Sequence, residues 1–280
     1  MELPFTLVDV FGERAFSGNP LAVVHGADLL VTEDMQRVTQ WLNFSETTFL
    51  LPATQAGADY RVRIFALERE LPFAGHPTLG SCAAWLARGG IPGDAAAIVQ
   101  ECGAGLVSIR RVGGQLAFAG PPLLRGGAVD EATLDEVADF LRIERSSIVD
   151  AQWADNGPGW IAVLLASAEA VLAVAPVGRC ATHMDIGIVG AHPPGGTVAF
   201  ELRAFFNDSS GVVREDPVTG SLNASVAEWL IASGRAGGSY VAAQGTALGR
   251  SGRITIERDS EGRIWVAGNT LVLSTGVLHC

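Results

Sequence analysis

The chain has 280 residues, 48% apolar and 18% charged, with a formal net charge of −11. That length holds one large domain or two ordinary ones with ample core, and the acidic balance argues against nucleic acid and anionic membrane surfaces as partners. All nineteen basic residues are arginine, which excludes a pyridoxal phosphate Schiff base and a Walker A phosphate loop, since both need a lysine.

The N-terminal stretch MELPFTLVDVFGERAF alternates like a strand and carries acidic residues. It lacks the basic start and apolar run of a signal peptide, so the expectation is a soluble cytoplasmic protein. TEDMQRVTQWLN (32–43) reads as a helix and TTFLL (47–51) as a strand. Glu46, in NFSETTFLL, therefore stands at a helix-to-strand junction. Partly buried there, its carboxylate would titrate nearer the range useful for proton transfer; the residues alone equally allow an exposed charge at a strand end. In GHPTLGSCAAWLARGG (75–90) the pattern predicts a helix with Pro77 at its first position and Gly89 past its end. That puts His76 at the cap, where Ser, Thr, Asp or Asn would serve better. It is a candidate for another task, or else a hydrogen-bonded turn histidine.

AGPPLLRGGAVDEA (119–132) is rich in Gly and Pro and reads as a boundary, followed by an acidic amphipathic helix, EATLDEVADFLRI. The most apolar run, WIAVLLASAEAVLAVAPV (160–177), is broken by Ser167 and Glu169 and ended by Pro176. It predicts a strand, a turn and one helix rather than a membrane span. DPVTGSLNASVAEWLIASG (216–234) predicts a second enclosed helix with Asp216 as N-cap, Pro217 at the first position and Gly234 beyond the end. The four cysteines, Cys82, Cys102, Cys180 and Cys280, form no CxxC pair and no metal-ligand spacing, and read as reduced, mostly buried thiols.

The chain repeats itself. At a shift of 140 residues Pro77 falls on Pro217, Gly80 on Gly220 and Ser81 on Ser221, and RVRIF (61–65) falls on ELRAF (201–205). Further on, AWL (84–86) answers EWL (228–230), and GGQLAFAG (113–120) answers EGRIWVAG (261–268). Four blocks in one order point to an internal duplication. The expected domains are 1–120, joined by the last strand at about 270–280, and 128–269. The expected fold is α+β: two pseudo-symmetric domains, each a curved, mostly antiparallel half-barrel sheet wrapped around a central helix that is apolar on most faces. The active site is expected in the interdomain cleft. Both helix N-termini would favour a substrate carboxylate there, with Gly75 and Gly220 allowing close approach; on these residues alone the turns equally read as helix caps and nothing more.

DVFGERAFSGNPLAVV (9–24), NFSETTFLL (43–51), RIFALERELPFAGHPTLGS (63–81), NGPGW (156–160) and GVVREDPVTGS (211–221) together resemble the PhzF-like family, named for phenazine biosynthesis. The resemblance runs from about residue 7 to residue 252 and implies the diaminopimelate epimerase fold. It also implies a cofactor-independent isomerase, often a homodimer, acting on a small carboxylated cyclic metabolite such as trans-2,3-dihydro-3-hydroxyanthranilate. Glu46 would be the general acid/base, with His76, Asp216 and Ser221 in support. Ser221, Gly75 and Gly220 would bind the substrate carboxylate; no metal is implied. Two-thiol racemisation, used by epimerases of this fold, is disfavoured because Cys82 lies about a turn and a half inside the first helix and the second helix has no thiol. Leu222 is bulkier than the family's usual residue and is expected to narrow the pocket beside Ser221. A cofactor-free lyase on another carboxylate, and a catalytically silent binding protein on the same scaffold, remain as alternatives.

Overall fold

Alternation at the N-terminus builds β1 (Glu2–Val10), and Asn19–Val24 returns as β2. Helix α1 (Thr32–Leu42) leads into β3 (Glu46–Leu51), β4 (Tyr60–Ala66) and the short β5 (Glu70–Leu71). Helix α2 (Gly75–Ala87) precedes β6 (Ile98–Cys102), β7 (Gly105–Val112) and β8 (Gln115–Ala119). Next come β9 (Arg125–Ala128), α3 (Glu131–Leu141), β10 (Asp150–Asp155), β11 (Ile161–Leu164), α4 (Ala168–Ala173) and β12 (Asp185–Ala191). Then follow β13 (Phe200–Asn207), β14 (Val213–Asp216), α5 (Gly220–Ala232), β15 (Ser239–Gln244), β16 (Gly252–Arg258), β17 (Ile264–Gly268) and β18 (Thr270–His279). This computed structural model describes residues 1–94 and 97–279. The chain divides into two compact units, Met1–Ala119 with Ala267–Cys280, and Gly120–Val266.

In the first unit β1 pairs antiparallel with β2, β2 parallel with β3, and β3 antiparallel with β4. β4 then pairs antiparallel with β5 and parallel with β6, and β6 antiparallel with β7. The second unit repeats this succession with β10 to β16 in place of β1 to β7. Each strand thus has a counterpart: β2 matches β11, β3 matches β12, β4 matches β13 and β6 matches β15. The C-terminal β18 joins the first unit, antiparallel along β1 from Glu2↔His279 to Val10↔Thr270. The apolar run at 160–177 is β11, a turn and α4, and among the described residues no helix is long and apolar enough to cross a membrane.

The central helices are enclosed, as their all-round apolar character requires. α2 packs on β1, β2, β3, β6, β8 and β18, and α5 on β10 and β16. Residues Gly220 to Ala227 of α5 are all buried. Both helices stop at a glycine with positive φ, Gly89 (88°) and Gly234 (72°), where only glycine turns left-handed without cost. Separate cores back the sheets. Val24, Met35, Phe49 and Phe65 cluster in the first unit, and Val137, Leu141, Val163, Ile186 and Phe205 in the second.

Two helix starts differ from the local pattern. α2 begins at Gly75 with Ala74 as cap, so His76 and Pro77 are already helical. α5 begins at Gly220 with Thr219 as cap, and Asp216 is the last residue of β14, opposite Ala204, rather than an N-cap. Proline is tolerated anywhere in a first turn because its missing N–H has no helical acceptor there, so Pro77 does not mark the start of α2, and Pro217 lies before α5 altogether. Both helices run thirteen residues, and their first residues, 75 and 220, lie 145 positions apart. In helical register Gly75 therefore matches Gly220, and His76 matches Ser221. Ser81, the sequence partner of Ser221, lies deeper in α2 and donates to Thr48 Oγ1 at 2.8 Å.

Candidate active site

Helix α1 ends at Asn43, which turns left-handed (φ 56°), a conformation asparagine tolerates. The chain then enters β3 with Glu46 first in the strand, opposite Ala66. The Glu46 side chain is 17% exposed and its Oε2 lies 3.5 Å from Nε2 of His76. His76 is buried on α2, and burial lowers its pKa to about 3, so its imidazole is neutral. The side-chain amide nitrogen of Asn19 lies 3.3 Å from His76 Nδ1. An amide N–H only donates, so Nδ1 accepts and the ring proton sits on Nε2, facing the carboxylate.

Asn19 is delivered by a tightly folded loop. The Asp9 carboxylate accepts the Ser17 and Gly18 N–H groups at 2.9 Å each, and a Cβ on Gly18 would stand 2.1 Å from the Val10 carbonyl. Only glycine closes this turn, and β2 then starts at Asn19, fully buried against the helix. The first turn of α2 is held from below by Gln100 of β6, whose Nε2 donates to Thr78 Oγ1 at 3.0 Å.

The second unit holds Gly220, Ser221 and Asp216. Thr219 Oγ1 donates to Asp216 Oδ2 at 2.6 Å. Gln244 of β15 is fully buried, accepts the Thr219 N–H at 3.0 Å and donates to Thr219 Oγ1 at 2.9 Å and to the Asp216 carbonyl at 3.2 Å. The NGPGW segment serves Ser221: the Trp160 indole N–H donates to its hydroxyl at 3.2 Å, and Asn156 Nδ2 to its carbonyl at 2.8 Å. Leu222 is fully buried, with its methyl groups over Gly187 of β12.

The structure thus joins Glu46 with His76 around the start of α2, with Gly75 beside them, and Asp216 with Gly220 and Ser221 around the start of α5. Local sequence reasoning missed the residues that orient these groups: Asn19, Trp160, Asn156, Gln100 and Gln244. It also missed Asp185, which begins β12 opposite Phe206 as Glu46 begins β3 opposite Ala66, and which meets His183 Nε2 at 3.0 Å. SGNP and NGPGW were the visible signals, glycine turns that each set one large polar side chain at a strand start. Among the described residues no thiol stands at either helix start. Cys82 is buried two turns inside α2, and burial pushes its thiol up to about 12. Cys102 is buried and free and Cys180 is half-buried and free, while Cys280 lies outside the described residues. No cluster of His, Cys, Asp or Glu among the described residues has the arrangement to hold a metal.

The family model described as phenazine biosynthesis-like protein matches residues 8–276. The chain belongs to this PhzF family and is an isomerase. It is 30% identical over 98% of both chains to trans-2,3-dihydro-3-hydroxyanthranilate isomerase of Pseudomonas chlororaphis. It is 35% identical, over 89% of this chain and 88% of the other, to antisense-enhancing sequence 1 of Schizosaccharomyces pombe. Among solved structures, a predicted epimerase from Pseudomonas aeruginosa covers 99% of both chains at 29% identity with a TM-score of 0.79. At 14% identity and a TM-score of 0.59, a hydroxyproline epimerase from Agrobacterium vitis, covering 99% of this chain and 92% of its own, shows the shared fold.

Proposed function

We propose that this isomerase moves a proton between two carbons of a small carboxylated cyclic metabolite of the trans-2,3-dihydro-3-hydroxyanthranilate class, with Glu46 as general acid/base. The observation that carries the reading is the approach of Glu46 Oε2 to within 3.5 Å of a buried, neutral His76. A group that takes a proton at one carbon and returns it at another must change charge twice, and a carboxylate beside a fixed N–H donor does so without another reagent. In the first step the substrate C–H bond breaks, its electron pair passes into the ring π system and the Glu46 O–H bond forms. In the second step that O–H bond breaks and the proton joins a different ring carbon. No electrons are gained or lost overall.

Ser221 and the first-turn N–H groups of α5, beginning at Gly220, favour a substrate carboxylate, as do those of α2, beginning at Gly75, since these N–H groups have no helical acceptor. His76 Nε2–H steadies charge developing on the substrate. Asp216 accepts a hydrogen bond from a ring amine or hydroxyl.

The test is turnover of trans-2,3-dihydro-3-hydroxyanthranilate in deuterium oxide, followed by NMR. Wild type places solvent deuterium in the product. Glu46→Gln, which keeps shape and loses the base, should lower kcat by about 10²–10⁴ and stop label entry. Near wild-type turnover in that variant removes Glu46 from the chemistry.

A further inference from the structure

Each central helix has a feature that neither turn motif reveals. α2 and α5 each carry a polar side chain at their second residue, His76 and Ser221. Each of these is met by one side chain from the start of corresponding strands. Asn19 opens β2, opposite Val10 at the end of β1, while Trp160 directly precedes β11, whose first residue Ile161 lies opposite Trp153 in β10. We propose that Asn19 and Trp160 are positioning residues, one in each unit, each fixing which proton the second residue of its central helix presents to substrate.

The chemistry in each unit runs one way. An indole N–H can only donate, so at 3.2 Å it occupies a lone pair of Ser221 Oγ. Among the described residues that hydroxyl donates to no other group, so its hydrogen is the one offered, and Ser221 meets substrate as a donor suited to a carboxylate. In the other unit the Asn19 amide N–H fills the Nδ1 lone pair at 3.3 Å. That excludes the tautomer protonated at Nδ1 and makes Nε2 the donor toward Glu46. Both orienting side chains are buried, Asn19 at 0% and Trp160 at 4% exposure, so water does not compete for either bond. The sharper discrimination falls on the His76 arm, because a wrong tautomer places a lone pair against the carboxylate, whereas a freed serine hydroxyl merely rotates.

The proposal rests on the reading of His76 and Ser221 as substrate-facing, and its first measurements need no substrate. Two-dimensional ¹H–¹⁵N spectra of the wild-type imidazoles, assigned with His76→Gln, should show the Nε2–H tautomer; an Nδ1–H tautomer overturns the His76 arm. Asn19→Asp offers Nδ1 an acceptor and should convert His76 to the Nδ1-protonated form, whereas Asn19→Ala should leave a mixture. If neither changes the ring, Asn19 has no such role. The Trp160 indole cross-peak, assigned with Trp160→Phe, should shift and exchange faster in Ser221→Ala but not in Ser221→Thr. An unmoved peak in Ser221→Ala overturns the second arm.

Kinetics on trans-2,3-dihydro-3-hydroxyanthranilate then separate the roles. Asn19→Asp should lower kcat about 10- to 100-fold. Trp160→Phe should raise KM about 3- to 10-fold with kcat within about twofold. Equal loss of kcat in both variants contradicts the division of roles. Absence of wild-type turnover on this substrate counts against the proposed function and leaves the spectroscopic outcomes to decide this inference.

Discussion

His76 has to be neutral for its Nδ1 to accept from Asn19, and neutrality has a cost that depends on pH. Its folded pKa, about 3, lies below the unfolded value of 6.5 because burial penalises the imidazolium. Between those values the unfolded chain binds the proton and the folded chain does not, so stability rises with pH across the window. The contribution is fully present above about pH 6.5 and fades as pH falls toward 3. His25, bonded to Thr6 Oγ1 at 2.9 Å and lowered to about 4 mainly by burial, acts in the same direction. Urea melts from pH 7.5 to about 5 should therefore show falling stability, with His76 alone accounting for on the order of 2 kcal/mol at the acid end. His76→Gln should flatten that slope, and an unchanged slope would mean that the imidazole is not buried neutral.

At the scale of elements, the start of α5 is held in two ways. Gln244 satisfies buried groups of Thr219 and also accepts from Asn223 Nδ2 at 2.9 Å, so the turn before Ser221 is fixed by hydrogen bonds from β15. Leu222, the next residue along, fixes the same turn by packing. A Cβ at Gly187 would stand 2.2 Å from Leu222 Cδ1 in a fully buried contact. Gly187→Ala should therefore destabilise the protein by about 1–3 kcal/mol through overpacking, and Leu222→Ala by about 2–5 kcal/mol through the cavity it leaves. Because each change relieves the other, the double variant should lose less than the two single losses combined, by about 0.5–3 kcal/mol. Chemical denaturation of the four proteins checks this. Strict additivity would show that the leucine does not sit over the glycine.

Across the whole molecule, the two units use one device at two depths. Arg63 of β4 holds Glu70 of β5 through Nε and a terminal nitrogen at 2.7 and 2.6 Å, with its guanidinium 5.0 Å from the Phe65 ring. Arg203 of β13 holds Glu215 of β14 in the same fork at 2.9 and 2.8 Å, 4.8 Å from the Phe205 ring. The first arginine side chain is 19% exposed and its glutamate 39%, while the second pair is 6% and 11% exposed. Arg203 also donates to the Val171 and Val174 carbonyls and so ties α4 to the sheet. Removing a buried partner strands the remaining charge, and removing an exposed one does not. Arg203→Ala should cost about 3–5 kcal/mol and Arg63→Ala about 1 kcal/mol or less in thermal or urea unfolding. Equal losses would contradict the difference in depth.

Much of this was legible along the chain because its signals are local. Period-two alternation marked β1, the 32–43 pattern marked α1, and Gly89 and Gly234 marked the ends of the enclosed helices. RVRIF and ELRAF were visibly one motif, and the structure places both on corresponding strands with the same arginine fork. What reads correctly in this way depends on residues within a few positions of each other, where backbone preference and side-chain period decide the outcome. The start of α2 was misjudged because proline is acceptable throughout a first turn, and for α5 the choice between Gly220 and Asp216 lay with Gln244 on another strand. The orienters of the site were hidden for the same reason: Asn19 meets His76 across 57 positions and Trp160 meets Ser221 across 61. Composition and motif by themselves determined the fold class, the family and the identity of the chemical groups. Only tertiary structure decided that His76 and Ser221 share a helical position, which side chains meet each of them, and that Leu222 belongs to the core, because hydrogen bonds and packing are set by neighbours in space.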